Sequence, residues 1–393
     1  MAQLIQLTEP RPQVDARGFA LFDKGFRVFF ALASLHAALF VPAWVLMVTG
    51  FLPMTASGMS WHGHEMLFGF AVAVIAGFLL TAASNWTGRE TARGVFLGSL
   101  AGVWLLGRAA PFVLPGGLAA AVDLAFLPLV MLALGRAIVP TRNRRNYGFL
   151  GLLALLELLS ALHHAGGLGW LPGWERKAQL LAVDVIAIII CVMTARVLPM
   201  FTRNATGFDV KRRPLAERAA LVGLGAVLAL GVADAPAWAV SSVAGLTALA
   251  LVVRSWGWGF RASLGTPLLW VLHLGNAFLA LSLALRAVPS LASSQIALHA
   301  FTLGCLAMLC LGMMARVSLG HTGRALAPSG AVEVSFWLLL VSVGARVVAP
   351  WLLPAFYRGQ LLVAGVAWSL AFGVFLVASL PMWLRARVDG KPG

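Results

Sequence analysis

The feature that most limits what this chain can become is a succession of apolar runs. A helix needs about 20 mostly apolar residues to cross a bilayer. Twelve segments meet that length: about 26–50, 62–85, 92–110, 116–138, 147–165, 177–200, 216–233, 237–256, 265–287, 294–318, 331–350 and 359–383. The run at 216–233 is the shortest and is rich in glycine. The links between runs are too short for a soluble domain, so a single integral membrane domain over residues 1–393 is expected. Composition agrees. The chain is 60% apolar and 11% charged, whereas soluble domains carry about 25% charged residues. An ordinary soluble enzyme and a disordered chain are thereby excluded. Three cysteines (Cys191, Cys305, Cys310), all within apolar runs, exclude a disulfide scaffold. The first 25 residues are polar and do not read as a cleavable signal peptide.

The formal net charge is +15, from 29 Lys/Arg against 14 Asp/Glu. In a soluble protein such a balance would suggest nucleic acid. Here the basic residues lie between spans, so the expected partner is membrane lipid and no nucleic acid. With the N-terminus in the cytoplasm and alternating spans, 23 of the 29 basic residues fall on the cytoplasmic side. They include Arg11, Arg17, the group Arg142, Arg144 and Arg145, and the group Lys211, Arg212 and Arg213. This bias predicts that both termini are cytoplasmic.

Part of the sequence repeats. Residues 64–89 align without a gap on 299–324, matching His64 with His299, Gly69 with Gly304 and Gly77 with Gly312. Thr87-Gly88-Arg89 likewise matches Thr322-Gly323-Arg324. A weaker middle copy ends in Thr206-Gly207 and sets Asp184 against Glu65. Arg108-x-x-Pro111 in span 3 also rhymes with Arg346-x-x-x-Pro350 in span 11. The expected architecture is all-α, with twelve transmembrane helices as three parallel four-helix repeats at about 26–138, 147–256 and 265–383.

Ionisable side chains inside spans mark function by default, because burying them in lipid is costly. Seven of the eight histidines lie in or at the edge of a span. His36 and His273 fall near mid-membrane in matching helices. His64 and His299 are repeat mates nearer the outer face. His62 and His64 are two residues apart, about 200° around a regular helix, so they cannot share one metal there. Imidazoles suit zinc, copper, or a haem held axially. The absence of CxxCH excludes covalent haem attachment and leaves a b-type haem. The buried-carbonyl partner, the proton relay and the metal ligand all remain open readings for these histidines. Glu65, Glu157 and Asp184 sit well inside spans as candidates to order a histidine, carry a proton or pair with an arginine. Asp123 and Asp234 lie closer to span ends. The Thr-Gly-Arg ends read as helix caps.

The segment Trp61-His62-Gly63-His64-Glu65-Met66-Leu67-Phe68-Gly69-Phe70, continued by Asn85-Trp86-Thr87-Gly88, resembles the signature of the NnrS family. So do Leu269-Trp270-Val271-Leu272-His273, Ala297-Leu298-His299-Ala300 and Gly320-His321-Thr322-Gly323-Arg324, together with Asn146-Tyr147 and His163. The resemblance covers essentially the whole chain. It implies a polytopic bacterial inner-membrane protein containing haem and copper, associated with denitrification and protection against nitric oxide stress.

The resemblance does not assign ligands, but from the placement of the repeat-mate histidines the expected cofactor is haem b between spans 2 and 10, held by His64 and His299. Metal, with copper as the implied element, is expected at His36, His273, His62 or His321. Nitric oxide is the expected ligand, to be bound or reduced, with a membrane or periplasmic electron donor and with Glu65, Glu157 and Asp184 for protons. The alternative is a proton-coupled transporter of a metal, haem or small solute. Twelve helices in three groups of four also occur in the catalytic subunit of haem–copper oxidases. That analogy is limited, because spans 6 and 7 carry no histidine and Phe301 stands where a His-x-His pair would continue from His299.

Overall fold

A computed structural model describes residues 18–53 and 58–391. Arg11 and Arg17, counted above with the cytoplasmic charges, lie outside the described residues. The described chain is all helix apart from turns, links and one isolated bridge between Phe19 and Arg385. Among the described residues, twelve helices are long and apolar enough to cross a membrane. Spans 1 to 4 are Gly25–Val48, Gly58–Thr87, Gly94–Val113 and Gly116–Ile138. Spans 5 to 8 are Arg144–Gly167, Trp174–Thr206, Pro214–Val232 and Ala237–Ser255. Spans 9 to 12 are Pro267–Ala287, Ser294–His321, Gly330–Leu352 and Pro354–Leu384. These coincide with the twelve apolar runs. Helices are the form such a chain must take, because hydrocarbon offers no partner to an unpaired backbone group.

Spans 2 and 10 form the centre, with 78% and 72% of their apolar windows buried, against 17% for span 7 at the periphery. Span 1 packs chiefly on spans 12 and 2, span 11 on span 12, span 5 on span 6, and span 8 on spans 7 and 9. Close approach depends on glycine. A Cβ at Gly77 would stand 2.8 Å from Phe29 Cβ, and one at its sequence mate Gly312 would stand 2.7 Å from Val271 Cγ1. Without side chains at these points the helix backbones draw together, the usual device where lipid supplies no hydrophobic drive between helices.

Spans 2, 6 and 10 end alike. Gly88, Gly207 and Gly323 adopt φ of 66°, 69° and 75°, the left-handed conformation that glycine tolerates and that closes a helix. The threonine before each (Thr87, Thr206, Thr322) donates its hydroxyl 2.7 Å to the carbonyl four residues back. Spans 2 and 10 also each contain a π-helical stretch, Glu65–Ala71 and Ala300–Ala307, beginning one residue after His64 and His299. Such wide turns are rare and gather at functional sites. An even number of spans brings both ends to one face. Ala20 N–H donates 2.9 Å to Leu384 O, and Arg27 Nη1 donates to the carbonyls of Met382, Trp383 and Arg385 that span 12 leaves open.

Replacing Gly77 with valine should therefore force spans 1 and 2 apart. The expected cost is about 1–3 kcal/mol, the usual range for an overpacked core. It would be read as a lower unfolding temperature in detergent, while Gly102→Val, at a position where an added Cβ meets nothing within 4 Å, should leave that temperature unmoved.

Candidate functional site

Span 2 enters at Gly58, held to span 6 by Gln179 Nε2 donating 2.7 Å to Ser60 O and by a short hydrogen bond from Ser60 Oγ to Glu175. The next turn sends His62 and His64 to opposite sides of the helix, as the two-residue spacing requires. Two neighbouring sites result, both away from the face that carries the chain ends.

The first is a buried polar cluster around His64. Arg108 of span 3 is its centre. Its Nη1 donates 2.9 Å to Glu65 Oε1, and its Nη2 makes a short hydrogen bond to Asp123 Oδ1 of span 4. Glu65 Oε2 accepts from His36 Nε2 of span 1 at 2.8 Å, and Glu65 Oε1 lies 3.3 Å from His64 Nδ1. Asp123 Oδ2 accepts from His164 Nε2 of span 5 at 2.8 Å and stands 3.0 Å from His64 Nε2. The last contact lies off the line of a hydrogen bond, so His64 Nε2 is buried without a hydrogen-bond partner among the described residues. His163, beside His164, donates from Nδ1 to the Glu175 carbonyl at 3.0 Å. The three rings of His64, His163 and His164 form a triangle with centroids 4.9, 5.0 and 5.4 Å apart. Room for this arrangement comes from Gly69, where a Cβ would stand 3.0 Å from Arg108 Nη1, Glu65 Oε2 and His36 Nε2 alike.

The second site is a chamber of about 480 Å³ between spans 1, 2, 6, 10, 11 and 12. Its walls are apolar, among them Val41, Leu67, Phe70, Leu306, Leu361 and Trp368. Two histidines face it, His62 from span 2 and His299 from span 10, with Arg176, Arg346 and Tyr357. The His62 ring stacks on Trp44 at 4.1 Å and 20°. His299 Nδ1 donates 2.7 Å to Gln295 O, so its Nε2 carries the lone pair, which accepts a hydrogen bond from Arg346 Nη2 at 3.4 Å. Both rings are enclosed by the protein yet only half-buried, because the chamber bares them.

The other residues singled out from sequence take separate places. His64 and His299 are not brought together. His64 turns into the Arg108 cluster, and it is His62 that shares the chamber with His299. His36 and His273 do not meet either. His36 is held by Glu65, whereas His273 Nε2 donates 2.8 Å to Thr202 Oγ1, whose own proton goes to Leu198 O. His321 lies at the opposite end of span 10, its ring 5.6 Å from that of Phe26. Asp184 pairs with Arg286 of span 9 at 2.7 Å. Glu157 is half-buried and makes no hydrogen bond or ion pair among the described residues. Sequence reasoning gave no role to Arg108, Asp123, His164 or Arg346. One signal was available, since a carboxylate as deep as Glu65 needs a cation, and Arg108 is the one basic residue of span 3 away from its start.

The family model of the NnrS protein matches residues 20–387. The chain belongs to the NnrS family. No curated protein matches it. In this NnrS-family chain the signature around Trp61–Phe70 is thus the stretch that feeds both sites, and its helix is the most buried of the twelve. The chain is a multi-pass membrane protein.

The Arg108 cluster yields a direct expectation. Removing one partner of a buried ion pair leaves an uncompensated charge and costs about 3–5 kcal/mol. Arg108→Ala should therefore sharply lower thermal stability in detergent. Arg93→Ala, which breaks only the exposed pair with Asp23, should cost at most about 1 kcal/mol.

Proposed function

We propose that this protein binds a b-type haem in the chamber and handles nitric oxide there, as a bacterial inner-membrane protein with cytoplasmic termini. The observation that carries the reading is the pair of imidazoles, His62 and His299, that face one apolar chamber from different spans. The fit is chemical as well as spatial. Bis-histidine ligation between facing helices is a common way to hold haem. The volume lies within the range of about 300–1,000 Å³ typical of cofactor sites. Apolar walls suit a macrocycle, while Arg176 and Arg346 supply positive charge for its carboxylates. His62 takes the role that sequence alone gave to His64.

When bound, the haem would supply an iron to which nitric oxide can coordinate in place of one of the two imidazoles. The residues of the chain do the rest. Trp44 holds the His62 ring by stacking, and the Gln295 carbonyl fixes the tautomer of His299. The wide turn after His299 sets that ring's direction into the chamber. Of the three carboxylates expected to carry protons, Glu65 and Asp184 are engaged by arginines, which leaves Glu157 free to exchange one. Nitric oxide itself enters the reading through the family and the three four-helix units through the repeats. Reduction of the gas would need an outside electron donor.

The test is a reduced-minus-oxidised spectrum of protein purified in detergent. Wild type should show a b-type spectrum that shifts when nitric oxide is added without oxygen. His62→Ala and His299→Ala should each lose the low-spin form, and His64→Ala should keep it. Wild type without haem would overturn the reading in favour of transport. Orientation is checked separately: a reporter active only in the cytoplasm should be active when fused at the C-terminus and inactive in the link after Gly167.

A further inference from the structure

We infer that His64, His163 and His164 form a binding site for one transition-metal ion of the copper–zinc class, separate from the chamber. Three observations meet there. First, one ring nitrogen from each histidine lies within 4.8 Å of the other two, contributed by spans 2 and 5. Second, each ring has an oxygen partner at one nitrogen: Glu65 for His64, the Glu175 carbonyl for His163 and Asp123 for His164. This is how metal-binding imidazoles are oriented, with the second nitrogen left for the ion. For His64 that second nitrogen, Nε2, is buried and has no hydrogen-bond partner among the described residues. Third, the charges do not balance. Glu65 and Asp123 bring two carboxylates and Arg108 one guanidinium. With neutral imidazoles the cluster holds one negative charge in excess, and a buried charge without compensation is strongly disfavoured. A monovalent ion such as Cu(I) among the three rings balances that charge, and a divalent one reverses it to a single positive charge.

The donor set narrows the ion. Three imidazoles suit copper and zinc, whereas magnesium and calcium prefer all-oxygen sites. Asp123 acts here as a positioning residue. Its Oδ2 accepts from His164 Nε2 at 2.8 Å, and its other oxygen is tied to Arg108, so the His164 ring is aimed by an anchored carboxylate.

The experiment uses the full chain purified in detergent, stripped with chelator and titrated separately with Cu(II) and Zn(II). Elemental analysis gives the stoichiometry, and electron paramagnetic resonance reads nitrogen ligation of Cu(II). Wild type should take up one equivalent with nitrogen hyperfine structure. His163→Ala, His164→Ala and His64→Ala should each lose that equivalent. Asp123→Asn should keep it with affinity weakened about 10–100-fold, as expected for a group that orients a ligand. His62→Ala and His299→Ala should keep it at full affinity, so the metal reading and the haem reading stand or fall by different variants and different signals. His163→Gln, checked by gel filtration for an unchanged monodisperse peak, separates ligand loss from misfolding. Full metal retention in His163→Ala and His164→Ala, or loss only in the chamber variants, would overturn the assignment.

Discussion

Arg108 is the side chain on which the arrangement of the first five spans depends. A guanidinium buried at that depth is costly unless its donors meet acceptors, and here it meets two carboxylates from two other helices. Those carboxylates in turn fix His36, His64 and His164. One cation therefore sets the mutual rotation of spans 1 to 5. In hydrocarbon, where apolar packing discriminates little between one rotation and another, a polar cluster of this kind is a strong source of register. Gly69 and Gly107 belong to the same device. A Cβ on either would enter the space of the charged groups, at 3.0 Å from Arg108 Nη1 in one case and 3.1 Å from Asp123 Oδ1 in the other.

Span 2 joins this cluster to the chamber. Its first turns carry two histidines on opposite sides, one to each site, and the wide π turn that follows lets Glu65 reach both His36 and Arg108. Span 10 has the same wide turn after His299, yet its surroundings differ. Arg346 stands near His299 with no acid at the position of Glu65, which is Ala300 in span 10. Related stretches of sequence thus serve different chemistry: a fully buried charged cluster in one half, an open apolar chamber in the other. The third polar pair, Asp184 with Arg286, joins spans 6 and 9 and fits the pattern of arginine answering each deep carboxylate except Glu157.

Much of the membrane architecture could be read directly. The twelve spans follow from run length, because a helix must satisfy its own backbone in lipid and about 20 apolar residues are enough to cross. The Thr-Gly-Arg ends of spans 2 and 10 were also legible as caps, since glycine alone enters the left-handed conformation without strain. The separation of His62 from His64 was likewise legible from helical geometry. Which of the two would face His299 was not. The two spacings are equally compatible with a helix, and the rotation of span 2 about its axis is set by Arg108, Asp123 and Gln179, residues 40 to 120 positions away.

The sequence by itself therefore determined the number of spans, their helical form, the glycine-closed ends and the family, all of which depend on local composition, short-range geometry or motif. Only the tertiary structure decided the sites. His64 was separated from His299 and gathered with His163 and His164, while His36 and His273 were sent to different partners. The physical reason is that a helix in lipid is free to rotate until polar contacts lock it. Those contacts come from helices far apart in the chain, and no local pattern encodes their pairing.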